Sequence, residues 1–504
     1  MKPRKNNKLE LQWSSRTRGL DRKTAWAFAC ALGALFVFVG LKPALALNII
    51  LWTAQCLILG MAGLRLLAII LSGRPKIYAQ PSDSTFATDS GFEWPRFTVL
   101  VPLYQEAHMV STLIDALSSL NYPKDKLDII MVCEEDDPET CAAVQACLAP
   151  PFHLFKVPAS MPRTKPKALN AAMASRPKAT PGELVTIYDA EDRPHPEQLK
   201  QAALAFAAND KFAALQAPLG YFNDKTNILT GLFSLEYAAL FHVWNPALAR
   251  LGLPFTLGGT SNHIRRDILE RAGGWDSHNV TEDADLGFRL SALNHQSQDG
   301  QRNRSARLKI GTIGHGTQEE AVANLPSWTA QRTRWIKGFM QTWMVHMRLK
   351  RRGPDGGHLP LRRQIFIAAC LQITVGATLL AAFLHVPSVL FIGGALALDL
   401  CQIVDFSWPI SFVYVLSLGY LSAIFMGMAG AVRAKKLYLI PLVLLMPFYW
   451  LLQFPPALMA AYEFIIAPAY WRKTVHKGTT PDNKITQVEA AQSDGLDPAT
   501  KHPI

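Results

Sequence analysis

Hydrophobicity in this chain is segregated into blocks, and that segregation constrains the fold more than any single residue does. Apolar runs at about 24–41 and 46–72, parted by Lys42 and Pro43, precede a polar stretch from residue 92 to 343. Beyond residue 364 the apolar runs resume, at about 365–384, 387–404, 409–432 and 437–453, with a weaker one at 457–468. The longer runs approach the roughly 20 residues that a helix needs to cross a bilayer core. A chain of 504 residues exceeds one ordinary domain, so the pattern predicts one soluble unit inserted between membrane helices.

Formal net charge is +12, and the excess is clustered: Lys2, Arg4, Lys5 and Lys8 before the first apolar run, Arg348 to Arg352, and Arg362 with Arg363. Basic clusters beside apolar segments hold the anionic cytoplasmic face of a membrane, so a lipid bilayer is an expected partner and nucleic acid is not. Residues 1–23 then form a basic cytoplasmic tail, 24–72 a transmembrane hairpin returning the chain to the cytosol, 344–363 an interfacial segment and 364–468 the C-terminal transmembrane helices. A basic start followed by Ala44-Leu45-Ala46 also resembles a secretory leader, but the second, longer apolar run would itself anchor the chain. Four C-terminal crossings put Arg433, Lys435 and Lys436 outside, against the positive-inside tendency, and one re-entrant or interfacial run would relieve that conflict. Residues 472–504 are polar and aromatic-poor and read as a disordered cytoplasmic tail. The seven cysteines show no metal-ligand spacing and read as reduced thiols.

Within 92–343, Phe97 to Pro102, Leu127 to Val132 and Leu184 to Tyr188 are short strand-like runs, and the stretches 107–120 and 202–208 read as helices. This alternation predicts a parallel sheet covered by helices, with ligands at the carboxyl ends of the strands. Two acidic runs follow such ends: Glu134-Glu135-Asp136-Asp137, and Asp189-Ala190-Glu191-Asp192. Each alone is also what a solvated acidic turn looks like. Asp189 and Glu191, one residue apart after a strand, can aim two carboxylates into one cleft, and hard oxygen ligands suit Mg²⁺ or Mn²⁺ bridging a diphosphate; Asp192 is a third candidate ligand. Lys165 and Lys167 open an apparent helix and offer charge to an anionic donor, Lys167 being nearer the helix start. Thr281-Glu282-Asp283 also opens a helix, with Thr281 a potential cap and Asp283 the expected general base toward an acceptor hydroxyl, Glu282 beside it. Gly259 and Thr260 lie in a small-residue stretch where a sugar can approach the backbone, which an ordinary loop explains nearly as well. Gln331, Arg334 and Trp335 share one helical turn. An interfacial amphipathic helix would carry the same residues, but an indole face stacks on a sugar ring and a guanidinium fits a diphosphate.

Taken in order, these residues resemble the inverting, membrane-embedded family 2 glycosyltransferases, the group of cellulose, hyaluronan and chitin synthases. The QxxRW signature of that family appears as Gln331, Arg334 and Trp335, its TED as Thr281, Glu282 and Asp283, and Lys-Ala-x-Asn as Lys167, Ala168 and Asn170. Its metal-binding DxD looks like Asp189-Ala190-Glu191 with glutamate in second place, and its nucleoside-contacting aspartate pair looks like Glu134-Glu135. The likeness implies an α/β GT-A (Rossmann-like) glycosyltransferase domain at 92–343, cytosolic and inserted between transmembrane helices of a multi-pass bacterial inner-membrane protein. A bacterial cellulose-synthase-like subgroup making exopolysaccharide is the nearest likeness. The activity implied is polymerisation of a UDP-sugar, UDP-glucose foremost, with Mg²⁺ or Mn²⁺. Asp189 and Glu191 would hold the metal; Glu134, Glu135, Lys167, Asp189 and Arg334 would seat the donor; Gln331, Trp335, Gly259 and Thr260 would face a growing glycan or lipid-linked acceptor. Export subunits are possible partners of such an enzyme. Rival readings are a transferase adding one sugar to a lipid-linked acceptor, and a non-catalytic nucleotide-binding scaffold or transporter.

Overall fold

The computed structural model describes residues 11–17, 22–73, 92–177, 182–296, 302–350, 352–403, 410–468 and 470 of the chain. The first apolar block is a pair of helices, α1 (Arg22–Leu41) and α2 (Pro43–Ser72), with Pro43 in the first turn of α2, where its missing N–H is not needed. Both are long and apolar enough to cross a membrane. Residues 11–17 are not a free tail. Trp13 is 1% exposed, its Nε1 donates to the Arg352 carbonyl at 3.2 Å, and the Lys350 ammonium lies 4.3 Å from its ring centroid. Ser14 Oγ donates to Asp276 Oδ1 at 2.9 Å, and Arg348 Nη1 donates to the Ser14 carbonyl at 3.0 Å. Arg348 and Lys350, expected at the lipid surface, are therefore buried against the N-terminal segment.

The soluble unit is built on a seven-stranded sheet of β1 (Phe97–Leu103), β2 (Leu127–Glu134), β3 (Phe152–Val157), β4 (Leu184–Ile187), β5 (Phe212–Gln216), β6 (Asn262–Arg265) and β7 (Lys309–Thr312), in the order β7-β5-β6-β4-β1-β2-β3. Strands β1 to β4 are parallel; β1, β2 and β4 are near-continuous apolar runs buried on both faces, as such sheets require, whereas the edge strand β3 leaves His153 and Lys156 exposed. The all-parallel expectation needs one correction: β6 runs antiparallel to both β4 and β5. That reversal puts the start of β6, and the loop before it, at the rim where β4 and β5 end. Four residues with three polar side chains, Asn262, His263 and Arg265, gave no periodic signal for this strand.

Four helices set the site: α3 (Lys165–Ala174), α4 (Ile228–Ala239), α5 (Glu282–Ser291) and α6 (Leu325–Met347). α4 runs through a π-helical turn at Leu240–Trp244 into a further helix, Asn245–Leu251. The expected interfacial segment 344–363 is in fact the end of α6, a connection, and the start of the next helix.

The C-terminal block differs from its apolar runs. Those at 365–384 and 387–404 are one helix, α7 (Leu361–Leu400), continuous across Pro387; α8 (Ile410–Arg433) follows, then a pair bent by 40°, Leu437–Leu451 and Phe454–Ile466. α7 and α8 are each long and apolar enough to span. Lys436 Nζ, just after α8, donates to Asp224 Oδ2 at 2.6 Å and to the Tyr221 carbonyl at 2.7 Å, both in the soluble unit. At the far end of the bent pair, Lys337 Nζ in α6 donates to the Tyr470 carbonyl at 2.7 Å and to Glu463 Oε2 at 2.8 Å. The bent pair thus begins and ends beside the soluble unit.

Two outcomes follow. Trp13→Ala is expected to cost about 3–5 kcal/mol, the usual range for emptying a buried aromatic site, read as a lowered melting midpoint of the full chain. His263 in β6 is buried with neither ring nitrogen hydrogen-bonded, and burial pushes its imidazole down from 6.5 to about 3. Only the unfolded chain takes up that proton below 6.5, so stability is expected to fall as pH drops from 6.5 toward 3, with a shallower slope in His263→Leu.

Candidate active site

Strand β4 ends in Tyr188, which continues the ladder to the Leu100 carbonyl, and the chain then turns through Asp189 to Asp192. Asp192, 1% exposed, holds the turn: its Oδ2 accepts from the Asp189 amide at 2.7 Å and from the Thr260 hydroxyl. Burial, then the carboxylates of Asp189 and Glu191, push the Asp192 carboxyl well above the usual carboxylate range. Thr260, expected at the acceptor, lines the cavity, and its hydroxyl bonds Asp192 and the Ile187 carbonyl at 3.0 Å, a brace between β4 and the loop before β6.

Lys165, the first residue of α3, bonds Asp189 Oδ1, and its Nζ donates to the Gly259 carbonyl at 2.9 Å. Burial alone would lower this ammonium; Asp189, Glu282 and Asp283 outweigh it and hold it above its ordinary value. Lys167, expected to help seat the donor, donates to Glu134 Oε2 at 2.9 Å, at the edge of the same hollow. A Cβ placed on Gly259 would stand 3.6 Å from Asp283 Oδ2 and 3.9 Å from Lys165 Nζ, so the glycine leaves open the space between the two halves of the site.

Asp283 lies in the first turn of α5. Thr281 occupies the N-cap position without capping: its amide and, at 3.4 Å, its hydroxyl turn to Asn279 Oδ1. Burial raises Asp283, opposed by its backbone hydrogen bond, Lys165 and Arg334. Burial and the neighbouring Asp283 push Glu282 up to about 8. The two neighbouring carboxyls thus both hold their protons more tightly than free carboxyls do. Asp285, in the same first turn, is structural, bonded to His346 Nε2 at 2.8 Å and to Arg289 Nε at 2.9 Å.

Helix α6 brings Gln331, Arg334 and Trp335 to the same hollow. Gln331 Oε1 is buried without a hydrogen-bond partner, and Arg334 faces Glu282, Asp283 and Asp189. The Trp335 ring is set by its neighbours: Arg332 Cζ is 4.8 Å from its centroid and Phe233 5.8 Å, with Tyr237 nearly parallel at 6.2 Å. Arg332 is in turn fixed by Glu236 Oε1 at 2.8 Å and by Tyr449 Oη at 2.9 Å.

Asp189, Glu191, Asp283, Arg334 and Trp335 line one cavity of about 1340 Å³. Glu134 reaches its edge, but Glu135 is exposed and outside it. Asp136 pairs with Arg163, and Asp137 caps the helix Pro138–Ala146. Glu319 also lines the cavity, its carboxyl raised by burial and then by Asp192, Glu191 and Asp189. Sequence reasoning missed it; an acidic pair, Glu319-Glu320, before the α6 cap Asn324 was the available signal.

A family model described as glycosyl transferase family group 2 matches residues 184–464, more than half of the chain. The chain belongs to this family. Among its curated relatives, "Probable glycosyltransferase YdaM" of Bacillus subtilis (strain 168) is 26% identical over 246 residues, covering 49% of this chain and 56% of that protein. "Beta-monoglucosyldiacylglycerol synthase" of Synechocystis sp. is 25% identical over 258 residues, covering 51% and 50%. The chain thus spans about half the length of these relatives. Among solved structures, a mannosyltransferase from Pyrobaculum calidifontis, in complex with GDP-Man and Mn²⁺, aligns with a TM-score of 0.46 at 21% identity, over 78% of this chain and 98% of that one.

The carboxylates fit a divalent cation. The carboxylates of Asp189 and Glu191 add to burial in raising the proton affinity of Asp192 and Glu319, and Asp192 Oδ1 is buried without a partner. Among the described residues no three His, Cys, Asp or Glu groups form a ready-made cage. That suits Mg²⁺ or Mn²⁺ held by one or two carboxylates, with substrate phosphates supplying further oxygens.

Gly338 allows α6 to meet α5: a Cβ there would fall 2.3 Å from Thr281 Oγ1. Gly338→Ala is expected to cost about 1–3 kcal/mol, the usual penalty of overpacking, and to displace Asp283 relative to Trp335. A lower melting midpoint together with lost turnover checks this.

Proposed function

We propose that this protein is a metal-assisted glycosyltransferase, moving a sugar from a UDP-sugar to a hydroxyl acceptor at the inner rim of a bilayer. The observation that carries the proposal is that Asp189, Asp283 and Trp335, far apart in sequence, open onto one cavity whose remainder lies between apolar helices. The reading takes 92–343 as a cytosolic GT-A domain and α1, α2, α7 and α8 as spans of a bacterial inner membrane.

Asp189 and Glu191 would hold the cation, which supplies charge neutralisation to the leaving diphosphate. Arg334 adds a guanidinium beside the same carboxylates. Asp283 accepts the proton of the attacking hydroxyl, and its raised proton affinity suits that task near neutral pH. Attack from the face opposite the nucleotide inverts the anomeric centre, so an α-linked donor yields a β-linkage. Trp335 offers an indole face to the acceptor, while Gln331 Oε1 is free to accept from a sugar hydroxyl.

Two readings of the acceptor compete. The resemblance to polymer synthases supports UDP-glucose polymerised into an exported exopolysaccharide. The apolar part of the cavity supports one sugar added to a lipid-linked acceptor, and we adopt that second reading.

Purified full-length protein in nanodiscs, given labelled UDP-sugars and Mn²⁺, is expected to transfer or release sugar, and EDTA to stop it. No turnover with any donor would favour the scaffold reading. Asp283→Asn is expected to cut kcat about 10²- to 10⁴-fold, the usual worth of a general base, with UDP affinity unchanged; undiminished turnover would reject Asp283 as the base.

A further inference from the structure

Beyond the carboxylates, the cavity continues between two groups of spans. α8 packs along α2, stapled by Arg65 Nη1 donating to the Gly419 carbonyl at 3.2 Å and by Arg433 donating to the Ile69 carbonyl. α7 leans instead on α6, Met446–Leu451 and Phe454–Ile466. From Trp335 the hollow passes Met61, Leu64, Ala381 and Gly419 to Ile392, so its walls become hydrocarbon, and glycine and alanine leave its width. π-helical turns border it on both sides, at Leu240–Trp244 and Gln372–Gly376, a local widening often found at functional sites.

The chamber is not closed. Leu380 and Leu384 line it, yet they are 53% and 52% exposed, so α7 leaves it open sideways toward the surrounding hydrocarbon. A glycan there would set hydroxyls against lipid tails, which cannot hydrogen-bond them. The polar groups along this wall also turn to their neighbours: Thr374 and Thr378 donate to the carbonyls of Cys370 and Thr374 at 3.0 and 2.9 Å. The rings of His385, Tyr420 and Trp450 pack together with centroids 6.0 to 6.2 Å apart. At the neck, Arg332 is bound by Glu236, and Lys165 and Arg334 are matched by the carboxylates of Asp189, Glu282 and Asp283, so the cations there already face acidic groups and an uncharged head is the better fit.

We infer that the chamber between α2, α7 and α8 holds the acyl chains of a neutral, hydroxyl-headed lipid, whose head reaches Asp283. The inference rests on the glycosyltransferase reading and names the class of its acceptor.

The test uses full-length protein in phosphatidylcholine nanodiscs, with the donor found active and three acceptors: glycerol, dioleoylglycerol and a soluble β-linked oligosaccharide. Dioleoylglycerol is expected to accept one sugar about 100-fold faster than glycerol or more, since each buried methylene adds favourable transfer free energy. A diacylglycerol with a photoreactive tail is expected to label the facing walls of α2, α7 and α8. Ala381→Trp should lower both labelling and lipid transfer about 10-fold, the reach of a single blocked contact. Leu390→Trp, on the outer face at 69% exposure, should change neither. Extension of the soluble oligosaccharide irrespective of lipid would make the chamber a glycan path, and labelling confined to outer faces such as Phe391 would make it a contact between copies or with bulk lipid; either overturns the inference. If Ala381→Trp fails to fold, judged by its melting midpoint, the wild-type labelling pattern decides. Sugar release without lipid transfer or chamber labelling sinks this inference alone, whereas no release from any donor sinks the glycosyltransferase reading.

Discussion

Mutual repulsion among buried carboxylates is the constraint around which the soluble unit is arranged. Asp189, Glu191, Asp192, Glu282, Asp283 and Glu319 stand near one hollow, and every group among them with a resolved shift is raised. Like charges in a low-dielectric setting are tolerated only when protons, cations or hydrogen bonds compensate them. Lys165 does so between Asp189 and the Gly259 carbonyl, and Arg334 does so from α6. The strain is what gives a divalent ion and a diphosphate, arriving together, something to relieve.

That hollow keeps its shape because α6 is tied in several directions. Gly338 lets it touch Thr281 at the head of α5, and Gln341 Oε1 accepts from the Val280 amide at 3.0 Å. Arg332 ties it to α4 and to Tyr449, and the wholly buried Lys337 ties it to Glu463 and Tyr470. Helix α6 is thus both a wall of the site and the footing of the C-terminal apolar segments. A shift of those segments is transmitted to Trp335 through Arg332 and its partners rather than through a flexible link.

Much of this was legible in the primary structure, for physical reasons. Apolar runs that end in carboxylates marked β2 and β4, because a buried parallel strand must be apolar along its length and its end is where polarity resumes. Gln331, Arg334 and Trp335 were readable as one face because helical spacing places them there. What escaped notice depends on tertiary placement. Which of Lys165 and Lys167 meets Asp189 turns on the angle at which α3 leaves its loop. Glu319 sits on a short strand outside the main sheet, where no periodicity announces it. Trp13, alone in a polar segment, finds its pocket only between α5, α6 and α7, formed from residues more than 250 positions away. The break expected between the runs 365–384 and 387–404 lies inside one helix, which also contains Pro387.

The return of the chain at both Lys436 and Tyr470 has a mechanical corollary. If α7 and α8 traverse the bilayer, the segment from 437 to 470 dips in and out through a single leaflet. Its bulk, including Met446 and Trp450, then displaces lipid from the inner monolayer while leaving the opposite one untouched. Such a segment would take up area in one monolayer only, so the packing of that monolayer's lipids would bear on the opening beside α7.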